Sequence, residues 1–151
     1  MLEWLQSSSL AEAIGQSLPM LSTLSSLHLL GLALVMSAVL GSSLRGVGVL
    51  FASAPAADVY RPATRLLGIG LTISAVTGFL MFMPRAQAAI ANENFRIKLA
   101  LIAAGLVVFS LAKSRARDGI GMTAGGRALA ASTLALWFGV VLAGCAFILL
   151  E

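Results

Sequence analysis

The sequence predicts an all-α membrane protein, a bundle of four transmembrane helices preceded by a short N-terminal interfacial helix. Of its 151 residues, 59% are hydrophobic and 11% are charged, and the mean hydropathy is +0.98. About a quarter of the residues of a soluble domain are charged, so this chain lacks the polar surface that water requires. Its length suggests a single integral membrane domain over residues 1–151.

Four apolar runs are long enough to cross the hydrocarbon core of a bilayer, which takes about 20 mostly apolar residues. They cover residues 20–44, 66–83, 97–112 and 128–150. A backbone in lipid must satisfy its own hydrogen bonds, and no alternation typical of a barrel is visible, so the runs are predicted to be helices. The third is the shortest, and it spans fully only if Lys98 extends towards the headgroups.

A short helix is predicted ahead of the first run. Residues 9–12 match a capping box, with Ser9 as the N-cap and Glu12 at the third helical position. Apolar side chains and Trp4 suit the membrane surface, so this helix is predicted to lie on the bilayer and to end before Pro19. A frayed terminus is the alternative.

The basic residues predict the orientation. The loops after the first and third helices, with the adjoining helix ends, hold seven Lys or Arg, and the opposite side holds three. The positive-inside rule therefore places these loops in the cytoplasm and both termini on the non-cytoplasmic side, with the bacterial inner membrane as the natural location. This charge serves topology, so no nucleic-acid partner is expected. The seven are Arg45, Arg61, Arg65, Lys113, Arg115, Arg117 and Arg127, and the three are Arg85, Arg96 and Lys98.

The first two helices contain similar segments. Residues 28–41 and 65–78 are identical at eight of fourteen positions. Ser37 with Gly41, and Ser74 with Gly78, form pairs of small residues four apart, which let helix backbones approach closely. We therefore predict that the first helix packs on the second through these residues.

His28, the only histidine, is the leading candidate for a functional residue. It lies about eight residues inside the first run, roughly 12 Å below the outer surface at 1.5 Å per residue. An ionisable group at that depth is a functional candidate by default. Neutral imidazole ligates metals and haem iron, and it also relays protons. A histidine that merely hydrogen-bonds to Ser25, Ser26 or another helix is the structural alternative.

Lys98 opens the third helix on the same side of the membrane as His28. Arg96 and Lys98 are two residues apart and cannot share a helical face, so at least one should turn inward. There it would suit a carboxylate such as a porphyrin propionate. A lysine that only marks the membrane interface is the alternative.

Softer ligands lie towards the same end of the bundle. Met81, Met83 and Cys145 would form, with His28, a site suited to Cu(I). The two methionines are two residues apart and point away from each other, and thioethers in apolar helices mostly serve packing.

The rest of the sequence excludes several classes of function. It contains no CxxC, HExxH, GxSxG or phosphate-loop motif, and no acidic pair lies in the apolar runs, which argues against ion-driven transport. At the opposite end, Arg45, Arg61 and Arg65 with Asp58 are predicted to form a cluster at the headgroups, where acidic lipid would be an unspecific contact.

Several short stretches carry a resemblance to known proteins. They are residues 28–31 with Arg45, Arg65 with residues 77–82, and residues 94–99. With them the chain resembles a bacterial family of small four-helix membrane proteins of uncharacterised function. More distantly, it is similar to the haem-carrying HemJ-type protoporphyrinogen oxidases and the CopD-type copper-resistance membrane domains.

That resemblance implies that His28 is the haem-ligating histidine and that Lys98 matches the lysine with which those proteins open a later helix. Members often carry a further histidine, which this chain lacks. A bis-histidine haem would therefore form only between two subunits, as in a homodimer or a larger membrane complex.

Together these observations predict a membrane protein that binds a b-type haem or related porphyrin for redox or haem handling. His28 would be the iron ligand, and Lys98 or Arg96 would meet a propionate. No catalytic reaction is assigned. A copper-handling membrane protein and a non-catalytic anchor subunit are the alternatives.

Overall fold

The computed structural model describes residues 3–117 and 123–149. Within these ranges the backbone is helical apart from short connections, and a 3₁₀ turn at Met83–Arg85 joins the fourth helix to the fifth. The α-helices are α1 (Glu3–Gln6), α2 (Ser9–Gln16), α3 (Leu18–Val47), α4 (Ala56–Phe82), α5 (Ala86–Ala91), α6 (Glu93–Arg117) and α7 (Ala124–Leu149).

The four predicted membrane helices are confirmed as α3, α4, α6 and α7, each long and apolar enough to cross a bilayer. Within the most apolar window of each span, only 17–22% is buried inside the protein. Large side chains such as Leu29, Val107 and Leu142 are more than half exposed. So much apolar surface is stable only against lipid or another apolar partner, and the chain is a multi-pass membrane protein.

The helices extend beyond the apolar runs that predicted them. The second begins at Ala56, ten residues before the predicted start at 66, and its apolar span continues through the 3₁₀ turn to Ala91. Pro62 lies early in α4, where the carbonyl left without a donor belongs to Asp58 in the first turn. Hydropathy marks the part of a helix that lies in hydrocarbon, and it misses the ends that reach the headgroups.

The predicted N-terminal helix is present as α2, but its cap is one residue earlier than predicted. Ser8 precedes the helix and its hydroxyl accepts a hydrogen bond from the backbone N–H of Ala11 at 3.3 Å. Ser9 is already helical, so its predicted role as N-cap is wrong. The predicted and observed N-caps differ by one residue because neighbouring serines have the same capping side chain.

One face of α2 packs against the helical hairpin formed by α3 and α4. Ala11 and Ile14 are almost completely buried, against the start of α3, the end of α4 and the 3₁₀ turn. The side-chain amide of Gln6 in α1 donates to the carbonyl of Pro84 at 3.1 Å. The two short helices therefore cover one end of the hairpin formed by α3 and α4.

The membrane helices form two antiparallel hairpins, α3 with α4 and α6 with α7. The hairpins meet mainly where α3 packs along α7, and α6 touches α3 and α4 only slightly. We call the end with the start of α3 and the end of α4 the His28 end, and the opposite end the arginine end. The core residues are Val35, Ala38, Val39, Tyr60, Ala63, Leu67, Phe109, Ala116, Trp137 and Val140.

The backbones of α3 and α4 touch at two glycines. A Cβ atom on Gly31 would lie 2.8 Å from the carbonyl oxygen of Gly70 and 2.5 Å from Oγ of Ser74. A Cβ atom on Gly70 would lie 2.6 Å from the carbonyl oxygen of Gly31 and 2.9 Å from the amide nitrogen of Val35. No side chain fits at either position without separating the helices.

The predicted packing of the first helix on the second is confirmed, but half of the predicted contact residues are wrong. Ser74 and Gly78 lie in the interface. Gly41 has open space beside it, and Ser37 is exposed and donates to the carbonyl of its own helix at Ala33. At 3.6 residues per turn, Gly41 is turned about 80° from the face that Gly31 presents to α4.

Replacing Gly31 or Gly70 by Ala should destabilise the protein, because the added methyl group overlaps backbone atoms of the neighbouring helix. Overpacking of this kind costs about 1–3 kcal/mol, measurable as lower thermal stability in detergent. Gly41→Ala and Gly68→Ala are matched controls in the same two helices, since a Cβ atom at either position meets nothing within 4 Å. Equal losses in all four variants would contradict the assigned interface.

Candidate functional site

The side chain of His28 lies against α4. Its side chain is half-buried, and its Nδ1 atom lies 3.1 Å from Oγ1 of Thr77. The two residues come from antiparallel helices held together at Gly31 and Gly70, three residues from His28 and seven from Thr77. The close contact between the backbones therefore brings this pair within hydrogen-bonding distance.

The hydrogen bonds of Thr77 favour one tautomer of His28. The Thr77 hydroxyl donates to the backbone carbonyl of Ile73 at 2.7 Å, and a hydroxyl has one hydrogen to donate. With the hydroxyl donating to Ile73, its oxygen accepts from His28, and Nδ1 carries the hydrogen. The neutral imidazole then keeps its lone pair on Nε2, the atom free to ligate a metal or accept a proton.

Small residues on α4 make room for the imidazole. A Cβ atom on Gly78 would lie 3.0 Å from Cε1 of His28, tighter than ordinary van der Waals contact. The hydroxyl of Ser74 donates to the backbone carbonyl of His28 at 3.4 Å. Gly78, Thr77 and Ser74 thus form the surface against which His28 is oriented.

Lys98 is the residue of its pair that turns inward, and Arg96 is exposed. The Lys98 side chain packs beside Gly144 of α7, where a Cβ atom would lie 3.6 Å from its Nζ atom. Its ammonium is close enough to His28 for the two groups to interact electrostatically. The site therefore draws on α3, α4 and α6, with α7 supplying space for the lysine.

The softer candidate ligands separate in the structure. Oγ of Ser25 lies 3.9 Å from Sδ of Met81, about one helical turn from the His28–Thr77 pair. Met83 is buried in the 3₁₀ turn at the end of the hairpin, and Cys145 is exposed on α7. Among the described residues, no three His, Cys, Asp or Glu side chains gather in a way that would hold a metal ion.

An open apolar groove lies next to the site. Its volume is about 330 Å³, and it runs along α2 and the first turns of α3. Leu24 in its wall is four residues before His28 and shares that face of α3, while Leu80 is three residues after Thr77. The lining residues are Leu10, Ile14, Pro19, Met20, Thr23, Leu24 and Leu80.

The residues that orient His28 were not identified from the sequence. Thr77 and Gly78 were noted only as part of a matching segment and a packing pair, and neither was paired with His28. The antiparallel order of the two helices could have suggested this pairing. In a helical hairpin, a residue near the start of the first helix lies opposite residues near the end of the second. What the sequence lacked was the rotation of each helix.

The residues present would hold a haem iron through Nε2 of His28, with Thr77 as the partner of the other ring nitrogen. Ligating histidines usually donate their second ring N–H in this way. The predicted role of Arg96 as a cofactor contact gains no support from its exposed position, whereas Lys98 turns inward.

The chain matches no known protein-family model, no curated protein and no solved structure. The resemblance to HemJ-type oxidases and CopD-type domains therefore stays a prediction, and the four apolar helices describe a small four-span membrane protein whose family these comparisons do not identify.

Proposed function

We propose that this chain holds a b-type haem or related porphyrin inside the membrane, through Nε2 of His28, for electron transfer or haem handling. One observation carries the proposal. Nδ1 of His28 lies 3.1 Å from Oγ1 of Thr77, a contact that favours the tautomer with Nε2 available as a ligand at membrane depth. No catalytic reaction is part of the proposal.

The surroundings of His28 supply the other contacts that such a group needs. A porphyrin is a large apolar ring with acidic propionates, and the groove beside Leu24 and Leu80 offers an apolar wall. Lys98 offers a cation, and a charge-assisted bond to a propionate contributes about 1.5–3 kcal/mol.

When bound, a haem supplies one-electron redox chemistry. The chain's own residues hold and orient the group: Thr77 aligns the imidazole, and Gly78 leaves space for it. With one histidine per chain, a second axial ligand would come from Met81, Lys98, water or His28 of a second copy. The resemblance to HemJ-type proteins favours haem binding. Because this chain has no second histidine, a homodimer or larger complex is favoured.

A copper-handling protein is the second candidate, favoured by the position of Met81. Its thioether lies on the same interface between α3 and α4 as His28, about one turn away, where Ser25 contacts it. An imidazole and a thioether suit Cu(I). A purely structural anchor subunit remains the reading if neither group binds.

His28→Ala should abolish a haem-type absorption spectrum of protein purified in mild detergent, because the chain has no second imidazole. The four helices should stay folded, which circular dichroism checks, since the apolar spans are intact. A Soret band that shifts on reduction supports haem, whereas bound copper in a colourless protein supports the second candidate. A full haem complement in His28→Ala would exclude His28 as the ligand.

The two basic residues at the start of α6 provide a matched pair. Lys98→Ala should weaken haem retention about tenfold or more, the loss expected for one charge-assisted bond of ~1.5 kcal/mol, because Lys98 turns inward at the His28 end. Arg96→Ala removes the same charge two residues away on an exposed side chain and should retain haem like the unmodified protein. Titration with haem in detergent measures both, and a greater loss for Arg96→Ala would reverse the assignment.

Thr77→Val should weaken ligation without removing the ligand. Losing the partner of a ligating histidine typically costs 10–100-fold in metal affinity, and here the imidazole could also adopt the other tautomer. Thr77→Ser, which keeps the hydroxyl, should restore most of the affinity and the spectrum. If Thr77→Val and Thr77→Ser behaved alike, the hydroxyl would have no role in orienting His28.

We also propose that both termini lie on the non-cytoplasmic side of a bacterial inner membrane, on the strength of the basic residues at the arginine end. Reporter fusions ending at Ala57 should then behave as cytoplasmic, and fusions after Glu151 as periplasmic. A cytoplasmic reporter after Glu151 would reverse the orientation, and with it the position of His28 near the outer surface.

A further inference from the structure

The arginine end contains a cavity of about 290 Å³ whose walls are strongly basic. It lies between the start of α4 and the end of α6, at the level where these two membrane helices leave the apolar core. Besides Tyr60, the lining residues are Ala56, Ala57, Arg61, Thr64, Arg65 and Lys113.

The membership of this basic pocket differs from the cluster that the sequence predicted. Arg45 is not part of it, because its guanidinium is buried and donates through Nε and Nη2 to the carbonyl of Ala54, at 3.2 and 2.6 Å. Lys113 of α6, 48 residues after Arg65 in the chain, lines the pocket instead. Arg45 instead stabilises the turn that connects α3 to α4.

The pocket brings three positive charges together without a counter-charge from the described part of the chain. Arg61 and Arg65 are four residues apart on one face of α4, a spacing at which like charges repel. Lys113 faces them from α6. Asp58 lies one turn before Arg61 and is exposed, but it neither lines the pocket nor forms an ion pair with either arginine among the described residues.

The start of α4 adds to the positive potential. Pro55 is the N-cap of this 27-residue helix and makes no side-chain capping hydrogen bond. The N–H of Asp58 donates to the Pro55 carbonyl at 3.1 Å, and no cap side chain binds the N–H groups of Ala56 and Ala57. Ala56 and Ala57, the first two helical residues, line the pocket. Free N–H groups and the positive end of the helix dipole both favour an anion.

We propose that this pocket binds the phosphate of an anionic phospholipid. Its position at the ends of two membrane helices is where lipid phosphates lie, and arginine forks bind phosphate in a bidentate way. The volume is at the lower limit for small-molecule pockets, enough for a headgroup while the acyl chains stay in the bilayer. A zwitterionic headgroup also carries a cation, which the three basic side chains of the pocket would repel.

The test uses the full-length protein in detergent, titrated with phosphatidylglycerol or phosphatidylcholine, with thermal stability and retained lipid by native mass spectrometry as readouts. Phosphatidylglycerol should stabilise the protein and be retained, and phosphatidylcholine should not. Arg65→Gln and Lys113→Gln should each reduce affinity for phosphatidylglycerol at least about tenfold, equivalent to ~1.4 kcal/mol. Arg65→Lys, which keeps the charge but loses the fork, should fall between.

Arg115→Gln is the matched control. Arg115 is exposed, lies two residues after Lys113 on α6 and does not line the pocket, so removing its charge should leave the affinity unchanged. An equal loss in Arg115→Gln would mean a diffuse charge effect and overturn the site. Inorganic phosphate that stabilises the protein as well as the lipid does, or equal retention of phosphatidylcholine, would overturn the assignment to an anionic lipid.

Discussion

The contact between the backbones of α3 and α4 at Gly31 and Gly70 controls the positions of the side chains around His28. Helix association in lipid gains little from the hydrophobic effect and relies on close packing. Here the packing is close because neither glycine carries a Cβ atom, and the next small residues along α4, Ser74 and Gly78, continue the same face. The imidazole of His28 can then reach Thr77. A wider separation of the helices would break that hydrogen bond and leave the tautomer undefined.

Hydropathy was sufficient to predict the four membrane helices, because a bilayer permits few other structures for long apolar runs. It was insufficient for their ends. The first turns of α4 contain Asp58, Arg61 and Pro62, which lower hydropathy without preventing a helix. The cap of α2 shows a similar limit, since Ser8 and Ser9 can both cap a helix and only the backbone geometry distinguishes them. Orientation across the membrane rests on the count of basic residues in the loops.

The residues around His28 show what a single sequence does not reveal, namely the rotation of each helix about its axis. Depth in the membrane made His28 a candidate, and the two-residue spacing of Arg96 and Lys98 required that they diverge, but the sequence did not say which turns inward. The rotation of each helix also decides that Gly31 rather than Gly41 faces α4. At the arginine end, Lys113 joins Arg61 and Arg65 through the packing of α6 near α4, a contact between residues far apart in the chain. Each of these depends on rotation about a helix axis, to which overall hydropathy is insensitive.

The division of the bundle into two hairpins has a consequence for how the chain enters the membrane. Hydroxyl groups inside the helices mostly donate to carbonyls of their own helix, as at Ser42, Thr72 and Thr133. Among the described residues, these hydroxyl groups are therefore satisfied within their own helix. We therefore expect the first hairpin to form its glycine interface before the second hairpin packs on it.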